Sequence, residues 1–282
     1  MMKFPHFLTT PTRGVAMAEA PAADGQSIPT DAGSILSIAL DVAAETLRAG
    51  GEIHRVEGTV SHICRAYGAV AVDVFAITSL ITAEVRMPDG SYATMNRRVP
   101  STYNHLARLE ALNALSRTIC KSPISAAEVK ARLEEIRLYR PVPEWLCYLG
   151  GMLSCGGFAV FFGGTVLDGL AAAVIAFFLT LFARLRPLRI NSMVKSLISS
   201  FAAGILSVLC VMMGFGNHVD KIIIGTIMLE IPGLSFGNAL RDLLCGDTLA
   251  GTMRFIQAIL QTLMIALGYM AALVLFNQQI GG

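Results

Sequence analysis

Five ionisable side chains, Glu230, Arg241, Asp242, Asp247 and Arg254, fall inside Ile222–Arg254, a stretch that begins as a membrane-grade apolar run. Carboxylates and guanidinium groups are costly at bilayer depth unless they pair or line a cavity, so by default they mark a pathway. Two kinds of chemistry suit them. A carboxylate in a low-dielectric site can carry or relay a proton, a task open to Glu230, Asp242 or Asp247. A guanidinium offers a planar fork to a carboxylate, so Arg241, with Asn238 one turn before it, can recognise a carboxylate-bearing solute. Asn238, Arg241 and Asp242 lie within one turn and are expected to share a helix face. Pro232-Gly233 interrupts the run just after Glu230. Such a break is tolerated at membrane depth only where the freed backbone faces protein or water, and transporters often bind substrate there. The structural alternative puts Glu230 at a membrane boundary, with Pro232 merely ending a short span. On that alternative the Arg and Asp residues form internal ion pairs.

Other polar residues carry weaker signals. Asp168 reads as a helix-start charge favoured by the macrodipole, and His218, Asp220 and Lys221 as solvated loop residues. His54, Arg55, Glu57 and His62 stand at helical spacing and read as a charged helix face. The two histidines are eight apart, and with Cys64 they complete neither an H-E-x-x-H motif nor a metal set. The six cysteines are scattered without a C-x-x-C pair and read as reduced thiols, most of them buried. No G-x-x-x-x-G-K-[ST] loop occurs, which argues against ATP as the direct energy source. The sequence therefore predicts no catalytic residues, no metal and no cofactor.

The elements that must position these residues fall in two halves. Up to Glu144 there are fifteen Lys/Arg and fifteen Asp/Glu, and after it only seven and five. With 54% hydrophobic residues and mean hydropathy +0.60, this is a soluble half followed by a membrane half. A net charge of +2 with no basic stripe argues against nucleic acid. Residues 1–33 lack a continuous apolar segment and read as a disordered leader rather than a signal peptide. Residues 34–140 predict an α+β domain: helical periodicity from Ser34 to Gly68, then β-rich runs at Ala71–Ile77, Leu80–Met87 and Tyr92–Val99 with a turn at Pro88-Asp89-Gly90. A helix capped by Ser101 and another opened by a Ser125–Glu128 capping box complete it.

Residues 145–282 then predict five membrane helices, with windows at Trp145–Phe162, Val166–Leu185, Ser192–Gly214, Ile222–Leu234 and Phe255–Phe276. Basic residues gather before the first window, between the second and third, and after the fourth. The positive-inside rule then places the N-terminal domain in the cytoplasm and the C-terminus outside the inner membrane. Gly151, Gly156-Gly157, Gly163-Gly164 and Gly204 admit close helix packing, within the chain, against a partner subunit or in a homo-oligomer.

Four stretches, LRAGGEIHRVEGTVSHICRAYG (Leu47–Gly68), VDVFAITSLITAEV (Val72–Val85), RRVPSTYNHLARLEALNALSR (Arg97–Arg117) and EIPGLSFGNALRDLLCGDTLAGTMR (Glu230–Arg254), resemble the threonine/serine exporter family. The resemblance runs from about Ser34 to Phe276. It implies gradient-driven export of a small carboxylate-bearing metabolite, either threonine and serine or a dicarboxylate such as succinate. Fused members carry a second, smaller membrane half, whereas this chain ends after its fifth predicted span. It is thus similar to the larger subunit of a split, two-component succinate exporter that works with a separate four-helix subunit. Asp73, Arg97, Arg98 and Asn113 fall in these stretches and suggest packing, gating or docking. The alternative function is a non-transporting regulatory or assembly subunit. An intramembrane hydrolase fits poorly, because Leu244-Cys245-Gly246-Asp247 lacks the first glycine of a G-x-G-D motif.

Overall fold

A computed structural model describes residues 28–139, 142–184 and 191–276, so most of the predicted leader and part of the loop after Arg184 lie outside the described residues. The chain divides into two compact units, Met1–Tyr139 and Arg140–Gly282.

The first unit builds around α1 (Ala32–Arg48). Asp31 starts it by accepting the Ser34 N–H at 2.8 Å, a bond that holds the Asp31 carboxyl below its ordinary range. Ile35, Leu36, Ala39, Leu40, Ala43 and Leu47 are all fully buried, more of the circumference than one amphipathic face. The reason is that α1 touches β2 (Leu80–Arg86), β3 (Tyr92–Arg98), α2 (Ile53–Ala66), α3 (Leu106–Lys121) and α4 (Ala126–Leu138). β1 (Ala71–Ile77), β2 and β3 form an antiparallel meander, with Ile77 opposite Leu80 and Arg86 opposite Tyr92. Ile81, Ala83 and Val85 of β2 alternate inward to the core.

Polar ties fix the layers. Arg97 of β3 meets Asp41 of α1 at 2.7 Å, tying the sheet to that helix. The buried Glu45 receives Arg48 at 2.5 Å and Arg137 of α4 at 2.6 Å. Glu57 accepts the Ala76 N–H at 2.9 Å, linking α2 to β1. Asp73 and Arg98 are exposed.

One helix start differs from expectation. α3 is capped by His105, whose Nδ1 accepts the Arg108 N–H at 3.2 Å, and not by Ser101. The Tyr103 and His105 N–H groups donate to Arg48 and Ala49 carbonyls at the end of α1, which pulls this segment out of the helix. At α4 the Ser125 hydroxyl accepts the Glu128 N–H at 3.3 Å, but the Glu128 carboxylate turns to Arg132, leaving half a capping box.

The second unit is helical: α5 (Glu144–Phe161), α6 (Val166–Arg184), α7 (Ser192–Met212), α8 (Val219–Glu230), α9 (Gly233–Leu244) and α10 (Thr248–Leu275). α5, α6, α7 and α10 are long and apolar enough to cross a membrane, and α8 and α9 form a fifth candidate bent by 54° at Ile231-Pro232. α10 begins at Thr248, seven residues before the predicted window, so Arg254 sits in its second turn rather than in a loop.

Glycines set the closest crossings. A Cβ on Gly156 would stand 2.8 Å from the Gly169 carbonyl oxygen, fixing α5 on α6. One on Gly225 would stand 2.5 Å from the Cys155 carbonyl oxygen, fixing α8 on α5. One on Gly268 would stand 2.7 Å from the Leu197 carbonyl oxygen, fixing α10 on α7. Such approaches are how helices associate where burial from water supplies no drive.

Candidate functional site

Contacts along α10 fix where the broken helix lies. The Tyr269 hydroxyl meets Thr226 of α8 at 3.1 Å, the Phe236 and Phe255 rings are 5.2 Å apart, and Arg254 meets Asp242 of α9. Falling residue numbers on α10 thus match rising ones through α8 and then α9. The two half-helices follow one another down α10 in a single antiparallel register.

Depth follows from the neighbours. α7 lies parallel to α10, with Gln261 on Ser196, Gly268 against Ser200 and Ala272 against Gly204. Glu230 hydrogen-bonds with Ser199 of α7, which places it level with the stretch of α10 between Gln261 and Gly268. At 1.5 Å per residue that is roughly 15 Å from Arg254 and roughly 15 Å from Leu275. Glu230 and the break therefore lie level with the middle of α10.

The break exposes backbone as well as carboxylate. Pro232 has no N–H to give the Met228 carbonyl, and the Gly233 N–H turns to Ile231 O at 2.8 Å. The Leu229 carbonyl loses its helical donor in consequence. Glu230 itself is half-buried, and its Oε2 is buried without a hydrogen-bond partner. The neighbouring groups are Cys155, Ser199 and Tyr269, so no cation among the described residues is seen against it.

The second cluster is arranged otherwise than expected. Asp242 is 1% exposed and faces α10, while Arg241 is exposed, so the two do not share a face. Adjacent residues are about 100° apart on a helix, and packing on α10 selects Asp242. Its partner is Arg254, with Nη1 3.1 Å from Oδ2, a charge contact outside hydrogen-bond alignment. Asn238 is half-buried one turn before Asp242. Asp247 occupies the N-cap position of α10 without a side-chain capping bond, and its Oδ2 is buried and unpartnered.

Asp168 also differs from the sequence reading. Its side chain is fully buried: Oδ2 accepts from the Thr165 N–H at 2.7 Å and the Thr165 hydroxyl at 2.8 Å, and His218 Nδ1 stands 2.9 Å away. Oδ1 accepts the Asn217 and His218 N–H groups at 2.6 and 2.9 Å. The carboxylate ties the α7–α8 loop to the start of α6, and His218 is engaged rather than only solvated. Sequence reading missed Arg254 as the Asp242 partner, together with Ser199, Thr226 and Tyr269. Their one signal was that each is a polar residue in an apolar helix.

Residues 37–276, the sheet-bearing unit and the helical unit together, match a single family model described as "Putative threonine/serine exporter". The chain belongs to the threonine/serine exporter family. It is similar to the "Probable threonine/serine exporter" of Mycobacterium tuberculosis, with 23% identity over 246 residues. That match covers 85% of this chain and 46% of the relative, so the chain spans about half the length of the curated relative it matches. No solved structure matches. Family membership and four to five span-length helices make this a multi-pass membrane protein of a transporter family.

Proposed function

We propose that the chain is the larger membrane component of an exporter that moves a small carboxylate-bearing metabolite outward, with Glu230 carrying the coupling proton. The observation behind this reading is the half-buried carboxylate with an unpartnered oxygen beside a helix break level with the middle of α10. Solute sites in transporters favour such broken helices, whose freed carbonyls and half-helix N-termini offer polar contacts without extra side chains. Pro232 and Gly233 supply that backbone. Asn238 and Arg241, on the following half-helix, recognise the solute carboxylate. Asp242, held by Arg254, and Asp247 relay protons between Glu230 and the cytoplasmic side.

Threonine and serine are the substrates the family description favours; a dicarboxylate such as succinate is the alternative within the same chemistry. The inner-membrane orientation follows the basic clusters, with the sheet-bearing unit of residues 34–140 in the cytoplasm and the C-terminus outside. A second, smaller membrane subunit completes the path. The deciding experiment is export of labelled threonine, serine and succinate from cells with this chain alone and with a four-helix partner. Export that needs the chain and fails in Glu230→Gln supports the reading. Export equal in the variant removes Glu230 from the mechanism.

A further inference from the structure

A groove of about 310 Å³ opens between α2 and α3 of the first unit, lined among others by His54, Arg55, Gly58 and His62 from one helix and Asn113 and Arg117 from the other. Its charge is one-sided. Two guanidinium groups face it from opposite walls with two imidazoles beside them, and no carboxylate lines it. Of the nearby acids, Glu57 accepts the Ala76 N–H, and Glu52 forms a long ion pair with Arg55 at 3.8 Å that leaves the Arg55 side chain 54% exposed. The His54, His62 and Arg117 side chains have no hydrogen bond or ion pair with another described residue.

Gly58 is a second, independent observation. Glycine inside a helix costs about 1 kcal/mol relative to alanine, so its presence calls for a reason. Packing supplies none, since an added Cβ would meet only the His62 ring, at 3.8 Å. The missing side chain instead leaves the groove open at its floor.

From this geometry we infer that the groove binds a small dianion, a phosphate group or a dicarboxylate, bridged between Arg55 and Arg117. Two forks on opposite walls suit two negative charges, and a guanidinium pairs bidentately with either oxyanion. Its volume is at the small end for metabolite sites. This site is separate from Glu230, and binding here would let an anion level be sensed by the first unit.

The test is calorimetric titration of the full chain in detergent with inorganic phosphate, with succinate, and with threonine as a zwitterion of no net charge. Saturable binding of phosphate or succinate that depends on Arg117 is expected, whereas any threonine binding belongs to the membrane unit and should not depend on Arg117, and which anion binds identifies the source. Arg117→Gln should weaken binding by about tenfold or more, and Gly58→Leu, which fills the floor, should remove it. Glu230→Gln should leave it unchanged. Two outcomes overturn the inference: no saturable binding of either anion, or binding that survives both Gly58→Leu and an Arg55→Gln/Arg117→Gln double variant. Succinate binding lost only in Glu230→Gln would assign the anion to the membrane unit instead.

Discussion

Arg254 Nη1 stands 3.1 Å from Asp242 Oδ2, with the two side chains 11% and 1% exposed. The contact joins the last turn of α9 to the second turn of α10 and so holds the second half of the broken helix in place. Removing one partner of a buried pair strands the other charge, at a cost of about 3–5 kcal/mol, whereas removing both charges together costs less. Arg254→Gln should therefore lower the thermal unfolding temperature in detergent more than the Asp242→Asn/Arg254→Gln double variant does. Equal stability of wild type, single and double variants would show that the pair contributes nothing.

Glu230→Gln keeps the side-chain volume and its contact with Ser199 while removing the ionisable oxygen. Folding should change by less than about 1 kcal/mol, since no ion pair is broken. Gradient-dependent export should be lost while the unfolding temperature stays near that of wild type. A variant that both unfolds and stops exporting would make Glu230 a structural residue; Glu230→Asp, which retains the charge, separates the cases by restoring some export.

Local signals were legible where local chemistry decides. The Pro232-Gly233 break, the β-runs and the Pro88-Asp89-Gly90 turn lie where their residues predict, because Pro lacks an N–H and Gly90 takes φ +85°. Features set by distant partners were not legible. Ser101 lost the capping role because carbonyls at the end of α1 hold residues 103 and 105. α10 extends back to Thr248 because Asp242 neutralises Arg254, a charge that a hydropathy window reads as loop. Arg241 and Asp242 are indistinguishable as adjacent polar residues, and only the contact with α10 separates them. Two of the six cysteines, Cys147 and Cys245, proved exposed rather than buried, since apolar neighbours in sequence need not be neighbours in space.

Asp168 serves donors at Thr165, Asn217 and His218. Asp168→Ala would strand the Thr165, Asn217 and His218 N–H groups, each worth about 1–3 kcal/mol when left unsatisfied in a buried place. This variant should be the most destabilised of the set and should expose the α7–α8 loop to protease. Asp168→Asn keeps one acceptor oxygen and should lie between it and wild type. If limited proteolysis and unfolding temperature are unchanged in Asp168→Ala, the tie across this loop is not what holds it.

Thiol chemistry tests the fold and the orientation together. Burial pushes the Cys64 thiol up to about 12 from an ordinary 9.0, so almost none of it is thiolate at neutral pH. Cys245, in the turn between α9 and α10, is exposed. Maleimide at neutral pH should therefore label Cys245 quickly and leave Cys64 unmodified until the chain unfolds, read by mass spectrometry. The same burial fixes a sign on the alkaline side. Between 9.0 and about 12 the unfolded chain ionises its Cys64 thiol and the folded chain does not, so stability falls as pH rises through that window. Cys64→Val should flatten that part of the fall. With a membrane-impermeant maleimide, the proposed orientation expects Cys245 to be protected in intact cells and labelled in inverted vesicles. Labelling from outside would reverse the orientation and move the relay carboxylates to the other face of the membrane.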